Sequence, residues 1–524
     1  MIANALHRLI LYVAPRRAVD RLRARAAYEM LATYDAAKRD RGTRDWKTHH
    51  GSADDATLPD LAIMTDRARQ MVRDNAYARS IVLSFGRNVV GTGITPQASA
   101  RFHNGRPRAG FNEAMTEAWH RWANDPALCD VEGHQTFSQF QRQAVEAMVE
   151  TGEAFVLWSQ ADNGEDEIPI RVQMIEGEQL DLVKTKHDGR DVVAGVEIDA
   201  TGRPVAYHIH PLGVSRWGGG RTYATESQRI PADRVQHLYV KTRAGQTRGV
   251  TWFAPVLNRL RDLAEYDRAM LWAARMEACI GLLVTRDPTG MGGQLGLSGP
   301  PGQQQNDMDG NRNINLQPGM VGELNPGESV TPFMPSRPGG TYDPYVQAQL
   351  RAVAAGVDLS YAQVARDFSD GNFSSQRQAK LEDERGWEAL QLYVTDAMCR
   401  PIWREAVRAA ILGRILPTTV APAVPDPALY EAEWMPQGWD WVDPVKEVNA
   451  LAKAIDYRFV TREDIANSRG KSIRRIFAKL GEERAMADEA GITLPEDRAA
   501  TPPAGNDGDS ADIENNGDDD DRDD

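Results

Sequence analysis

The hydrophobic period of the chain changes at Gly152, and that change constrains the fold more than any single motif. Upstream, the stretch "MVRDNAYARSIVLSFGRNVVG" sets Met71, Val72, Ala78, Ile81, Val82 and Phe85 at helical spacing before Gly86 and Gly91 loosen the pattern. "AMTEAWHRWAND" and "FSQFQRQAVEAMVETG" read as two further helices, the second ended by Gly152. From Glu153 the period becomes two, in "EAFVLWS", "RVQMI", "GVEIDATGRPVAYHIH" and "VQHLYV". In the third of these, Val196 and Ile198 alternate with polar residues, "DATG" turns, and Val205, Tyr207 and Ile209 alternate again, which predicts a hairpin. The helical period returns in "TWFAPVLNRLRDLAEYDRAMLWAARMEA", with Phe253, Val256, Leu260, Leu263 or Ala264, and Leu271 on one face. Helices over 26–150, a β-rich unit over 153–241 and helices again thereafter predict an α+β fold.

The second half reads as a small α/β excursion and then helices. "CIGLLV" is a candidate buried strand, and 288–310, rich in Gly, Pro and Gln, reads as a mobile loop. "GMVGELNPGESV" and "TPFMP" read as short extended pieces, followed by the helix "DPYVQAQLRAVAAGV". In "DFSDGNFSSQRQ", Ser375 and Gln378 have capping-box spacing, so a long helix is expected from Gln376 to Arg400, interrupted by Pro401 and buried along Trp387, Leu390, Val394 and Met398. Past the Pro-rich linker, Asp443 with Pro444, and Thr461 with Asp464, start helices of a small C-terminal helical domain.

Charge narrows the function. The net charge of −14 is spread unevenly: residues 1–50 carry +6 and residues 501–524 carry −9. A chain with this balance does not grip phosphates by counterion release. The acidic tail after Pro502 has too few apolar side chains to fold by itself. "LILYVA", Leu9 to Ala14, is too short to span a bilayer and lacks a secretory cleavage context, so it reads as a short amphipathic helix that packs on a neighbour. The three cysteines, Cys129, Cys279 and Cys399, are far apart and suggest neither a disulfide framework nor a CxxC site, which points to a reducing compartment.

No catalytic, metal or cofactor site is expected. "NSRGKS" ends like a phosphate loop, but Ile465 stands where the first glycine is required and helices flank it. His208 and His210, or Asp130, Glu132 and His134, lack further ligands at recognisable spacing, so polar strand or loop faces explain them better than a metal. Ser374 and Ser375 have no GxSxG elbow, and a helix cap accounts for them.

One ordered set of segments is more specific. "RDNAYAR" and "LSFGRNVVGTG", then "TGEAF", "IEGEQLD", "GVEIDATGRPVAYHI", "RAGQTRGVTWFAPVL", "LQPGMVGELNPGE", "NFSSQR" and "WVDPVKE" follow one another through roughly 25–490. Together they resemble the lambda-type family of tailed-phage portal proteins. The resemblance implies an α+β portal architecture and a dodecameric ring at one capsid vertex, through which double-stranded DNA is packaged by the terminase large subunit and later ejected. Major capsid protein and a head-tail adaptor would be the other partners, with no membrane, and the host cytoplasm would hold the chain before assembly. It also implies an N-terminal arm over 1–24, a wing over 25–250 joined by the long helix 376–415, and a first stem helix over 251–276. The clip would be 277–340, the second stem helix 342–357, the linker 416–439, the crown 440–492 and the tail 501–524. A tunnel loop over 365–375 would then put Asp367, Asp370, Gly371, Asn372, Ser374, Ser375 and Arg377 toward DNA, the glycine and asparagine giving the turn freedom and the two aspartates repelling phosphate. The competing readings are a packaging enzyme, a terminase or head-maturation protease, against which the missing phosphate loop and nucleophile context count, and another capsid or adaptor protein.

Overall fold

A computed structural model describes residues 48, 50–214, 221–279, 283–284, 305–306, 312–313, 322–323, 342–369, 371–417, 419–420, 424, 426–439 and 444–492. The arm over 1–24, nearly all of 285–341 including the Gly-rich segment 288–310 apart from residues 305–306, Asp370, Asp443 and the tail lie outside them.

The first helical stretch is α1 (Ala53–Asp74) and α2 (Ala76–Phe85), two helices where the periodicity predicts one. Asn75 separates them because its side-chain oxygen accepts from the amides of Tyr77 and Ala78 at 2.9 and 3.1 Å, which is an N-cap and not a helix interior. At Gly86 the chain passes into a π turn, Gly86–Val90. The strand β1 (Thr95–Ala98), helix α3 (Ala109–Asn124), short α4 (Pro126–Cys129) and α5 (Phe137–Thr151) follow. Thr136 and Gln139 cap α5 reciprocally, and Gly152 ends it at a φ of +96°.

The period-two region forms strands as expected. A three-stranded antiparallel sheet has β2 (Ala154–Gln160) between β3 (Ile170–Ile175) and β11 (Val235–Leu238). The second sheet holds β4 (Lys186–His187), β5 (Arg190–Val193), β6 (Val196–Ile198), β7 (Pro204–Ile209) and β10 (Gln228–Pro231), in the order β10-β7-β6-β5-β4. The predicted hairpin is β6 with β7, pairing Val196 with Tyr207 and Glu197 with Ala206, with a bulge between Glu197 and Ile198. A further ribbon pairs β8 (Leu212–Val214) with β9 (Arg221–Tyr223). The two sheets close a small core of Phe155, Ile175, Leu180, Val196, Tyr207, Ile209 and Val235.

Helix α6 begins at Leu257, later than expected, and runs to Cys279. Thr251–Val256 instead form a turn that buries Phe253 and Val256. Leu271, expected on the buried face, is 53% exposed, as is its neighbour Trp272 at 61%. Between α6 and α7 (Tyr342–Gly356), the described residues form β12 (Leu283–Val284), parallel to β15 (Gly322–Glu323), and β13 (Gln305–Asn306), antiparallel to β14 (Arg312–Asn313).

Helix α8 (Tyr361–Ala365) leads to α9 (Phe373–Val394), a π turn (Thr395–Cys399) and α10 (Arg400–Leu412). Pro401 therefore does not stop the long helix. A proline lacks the amide and its ring crowds the carbonyl four residues back, and the wider π turn directly ahead of it relieves that crowding while the helix goes on. Trp387, Val394 and Met398 are buried as predicted, and α10 adds Ile402, Trp403, Ala406 and Val407 to the main core. Trp403 meets Trp119 edge-on at 5.3 Å, and Trp119 also packs on Trp122 and Phe137, which ties α10 to α3 and α5. The strand β16 (Ala432–Met435) pairs antiparallel with β1, a contact the sequence reading missed. The C-terminal helices are α11 (Pro444–Asp456), α12 (Arg462–Asn467) and α13 (Ile473–Ala490). Thr461 caps α12 as expected, and with Asp464 it completes a capping box. None of the described helices is long and apolar enough to cross a membrane.

Candidate functional site

The loop between α8 and α9 is built by its own side chains. Asp367 accepts from the amide and hydroxyl of Ser369 at 3.0 and 2.6 Å, and from the Tyr361 hydroxyl at 3.2 Å. The Ser369 hydrogen bonds, with that of Tyr361 adding to them, hold the Asp367 carboxyl below its ordinary pKa. The Gln376 side-chain amide donates to the carbonyls of Phe368 and Gly371 at 2.7 and 3.2 Å. A Cβ on Gly371 would lie 2.6 Å from Gln376 Cγ, so the glycine makes room for this brace. Its φ is not positive, which corrects the expectation that it supplies turn freedom.

The helix start is also corrected. Asn372, not Ser375, is the N-cap of α9: its side chain accepts from the Ser375 amide at 2.8 Å. Ser375 sits in the first turn, and its hydroxyl donates back to the Asn372 carbonyl at 3.0 Å. The capping box with Gln378 does not form, because the helix already starts one turn earlier, at Asn372. Ser374 is exposed on the same turn, and Arg377 reaches Glu447 of α11 at 3.9 Å. The structure thus gathers Asp367, Gly371, Asn372, Ser374, Ser375 and Arg377 on one loop and helix start. Phe368, 55% exposed between these braces, went unnoticed in the sequence because a lone aromatic in a polar stretch has no periodicity.

Two supports fix the loop to the body. Arg366, in the left-handed region at a φ of +57°, donates to the Ser80 hydroxyl of α2 at 3.1 Å. Asp383 of α9, buried, accepts from the amide and hydroxyl of Ser360 at 2.8 and 2.6 Å and so pins the α7–α8 connection. Burial raises the Asp383 pKa, against the Ser360 hydrogen bonds. Upstream, α6 and α7 are joined by Tyr342 donating to Asp267 at 2.8 Å, Arg259 bonding Gln349 at 2.5 Å and a Tyr266–Tyr342 ring contact.

A buried ion pair joins the sheets to the root of α6. Arg248 donates in bidentate fashion to Glu153, which also accepts from the Gly249 amide at 2.9 Å and meets His237 at 3.1 Å. Burial pushes the Glu153 carboxyl up, but Arg248 and His237 outweigh it and hold the pKa at about 2. Burial lowers the His237 pKa in spite of Glu153. The pair fits because two glycines let the backbones touch: a Cβ on Gly152 would lie 2.1 Å from the Val250 carbonyl carbon, and one on Gly249 2.1 Å from the Gly152 carbonyl oxygen.

The other polar candidates are structural. Asp130 accepts from the amides of Glu132, His134 and Gln135 at 2.8–3.0 Å and closes their loop. His208 and His210 do not converge; instead His187, Glu197 and His208 bring nitrogen and oxygen atoms within 4.8 Å of one another, the geometry of a metal site. Their surroundings fit poorly, since Arg229 and Arg190 already bond Glu197 and the Lys184 ammonium is 3.2 Å from His208, so a dication would meet three positive charges. The Arg229 hydrogen bonds, against burial and with help from Arg190, hold Glu197 at about 2. Gly470 of "NSRGKS" sits in the turn after α12 at a φ of +66°, packed toward the Pro436 carbonyl, and forms no phosphate cradle.

The chain has relatives that match it over most of its length. The "Probable portal protein" of Halomonas phage phiHAP-1 is 26% identical over 487 residues, 91% of this chain and 90% of that protein. "Portal protein B" of Escherichia phage lambda is 24% identical, covering 86% and 89% respectively, and the "Portal protein" of Escherichia phage N15 is 24% identical, covering 88% and 91%. Among solved structures, a chain from the neck of a native GTA particle aligns over 78% of this chain and 92% of its own, at 11% identity and a TM-score of 0.33. The family model for phage portal proteins of the lambda family matches residues 39–391, from the start of the helical body through the braced loop and most of α9, and the chain belongs to that family.

Proposed function

We propose that this chain assembles into a dodecameric ring at a capsid vertex and serves as the conduit for double-stranded DNA, with no catalytic step of its own. The family match over 39–391 carries this reading. In it, the sheets and α1–α5 with α9 and α10 form the wing, α6 and α7 the stem, the residues between them the clip, and α11–α13 the crown. The loop over 365–375 then lines the bore. There the Asp367 carboxylate, braced and kept ionised, faces phosphate without holding it, which agrees with the net charge of −14. Subunits in such a ring meet through heterologous surfaces that close by rotation. The terminase large subunit, major capsid protein and head-tail adaptor would dock on its outer surfaces, and the host cytoplasm would hold it before assembly. Negative-stain electron microscopy of the purified protein tests the reading: rings with a central bore are expected, whereas shells, plugs or only monomers at high concentration would overturn it.

A further inference from the structure

The C-terminal helical unit does not complete a core of its own. Across α11, α12, α13 and the turn between α11 and α12, only Ala466 and Ala487 are buried, while Val445, Val448, Phe459, Phe477 and Leu480 are 44–80% exposed. Val445 and Val448 lie three residues apart on α11, and Phe477 and Leu480 three apart on α13, so each pair marks one helix face turned to solvent. A unit of three short helices that buries two alanines has far too little apolar contact to offset its chain entropy.

The charges of α13 add an independent observation. Its first half carries Arg474, Arg475 and Lys479, and its second half carries Glu482, Glu483, Asp488 and Glu489 around one base, Arg484, all exposed. No acidic residue lies in its first turn and no basic residue in its last. The pattern opposes the helix macrodipole, which favours acids at the N-terminus and bases at the C-terminus, so it weakens the helix taken alone. Among the described residues, Arg474, Arg475, Lys479, Glu482, Glu483, Asp488 and Glu489 form no ion pair.

We infer that the occupant of this surface is the same unit of a neighbouring copy: apolar faces of α11 and α13 pack between subunits, and the basic first half of one α13 lies against the acidic second half of the next. Such a head-to-tail contact is heterologous and repeats around a closed ring. The charge complementarity lies within one helix sequence, so a second copy supplies what the first lacks. The inference rests on the ring proposed above and adds which surfaces meet and in what polarity.

Two charge variants test it. R474E/R475E/K479E makes α13 acidic apart from Arg484, and E482K/E483K/E489K makes it basic apart from Asp488. Hydrogen–deuterium exchange of the 444–492 amides is measured in wild-type rings, in dispersed wild-type subunits and in each variant. Protection in wild-type rings at least tenfold above that in subunits is expected, and each variant alone should lose it. An equimolar mixture of the two should regain it, because alternating acidic and basic helices restore every contact. The acidic variant also acts as a folding control, since acids at the N-terminus suit the macrodipole and a role confined to the subunit would make its crown more protected. Protection equal in rings and subunits, retained in either variant alone, or not restored by mixing overturns the inference. Wild-type rings with an unprotected crown overturn it alone, whereas failure of the wild type to form rings overturns the ring reading as well.

Discussion

Replacing Arg248 with Met leaves Glu153 buried without its main partner. Glu153 and Arg248 are each nearly inaccessible, and the arginine also donates to the carbonyls of Ala194 at 2.7 Å and Gly177 at 3.2 Å. Breaking a buried pair from one side costs about 3–5 kcal/mol. A second route gives a similar figure. A carboxyl moved from 4.5 to about 2 contributes, at about 1.4 kcal/mol per pH unit, about 3 kcal/mol of stability. Because the folded pKa is depressed, that contribution is present in full above pH 4.5 and is lost as pH falls toward 2. In Arg248→Met, burial acts on Glu153 opposed only by His237 and the Gly249 amide, which raises its pKa relative to wild type, so the variant is relieved by acid while the wild type is weakened by it. The assay is urea unfolding followed by tryptophan fluorescence at a series of pH values, with hydrogen exchange on β2 and β11 to localise the effect. A deficit of about 3–5 kcal/mol at pH 7, shrinking steadily toward pH 4, is expected. The double variant Glu153→Met/Arg248→Met should recover part of it, though not all, since two carbonyls remain without their donor. A deficit below about 0.5 kcal/mol, one that does not change with pH, or a double variant worse than the single would refute the reasoning.

Asn372→Ala should destabilise the start of α9 by about 0.5–2 kcal/mol, read as faster amide exchange in its first turn, whereas Ser375→Ala should stay within about 0.5 kcal/mol of wild type. Gly152→Ala should abolish soluble folded protein, because the new Cβ meets backbone at 2.1 Å and a φ of +96° is strained for alanine; normal yield and melting temperature would contradict the close contact. Replacing both Asp367 and Asp370 with Lys should leave assembly intact but strengthen retention of DNA, with a salt slope steeper by about 0.9 per new phosphate contact. Packaged DNA of normal amount and length in that variant would remove the loop from the bore.

The sequence by itself determined the elements and their class. The switch from helical to alternating spacing at Gly152 located the sheets within a residue or two, because a side chain's face follows from local backbone period alone. The capping box of Thr461 with Asp464 and the burial of Trp387, Val394 and Met398 were legible for the same local reason. Local signals failed where two of them competed, as at the start of α9, where Asn372 takes the cap three residues ahead of Ser375, and at Pro401, where a π turn absorbs what a proline normally breaks. What tertiary structure decided were the partnerships between distant residues. Glu153 and Arg248 are 95 positions apart, and β1 and β16 are joined across more than 300 residues by four-residue strands too short to announce themselves. Glu197 alternates like a solvent-facing residue, yet it is fully buried, because Arg190, Arg229 and His208 converge on it from neighbouring strands. A charge can be buried only where opposite charges converge on it, and that convergence is a property of the folded chain, not of any window of its sequence.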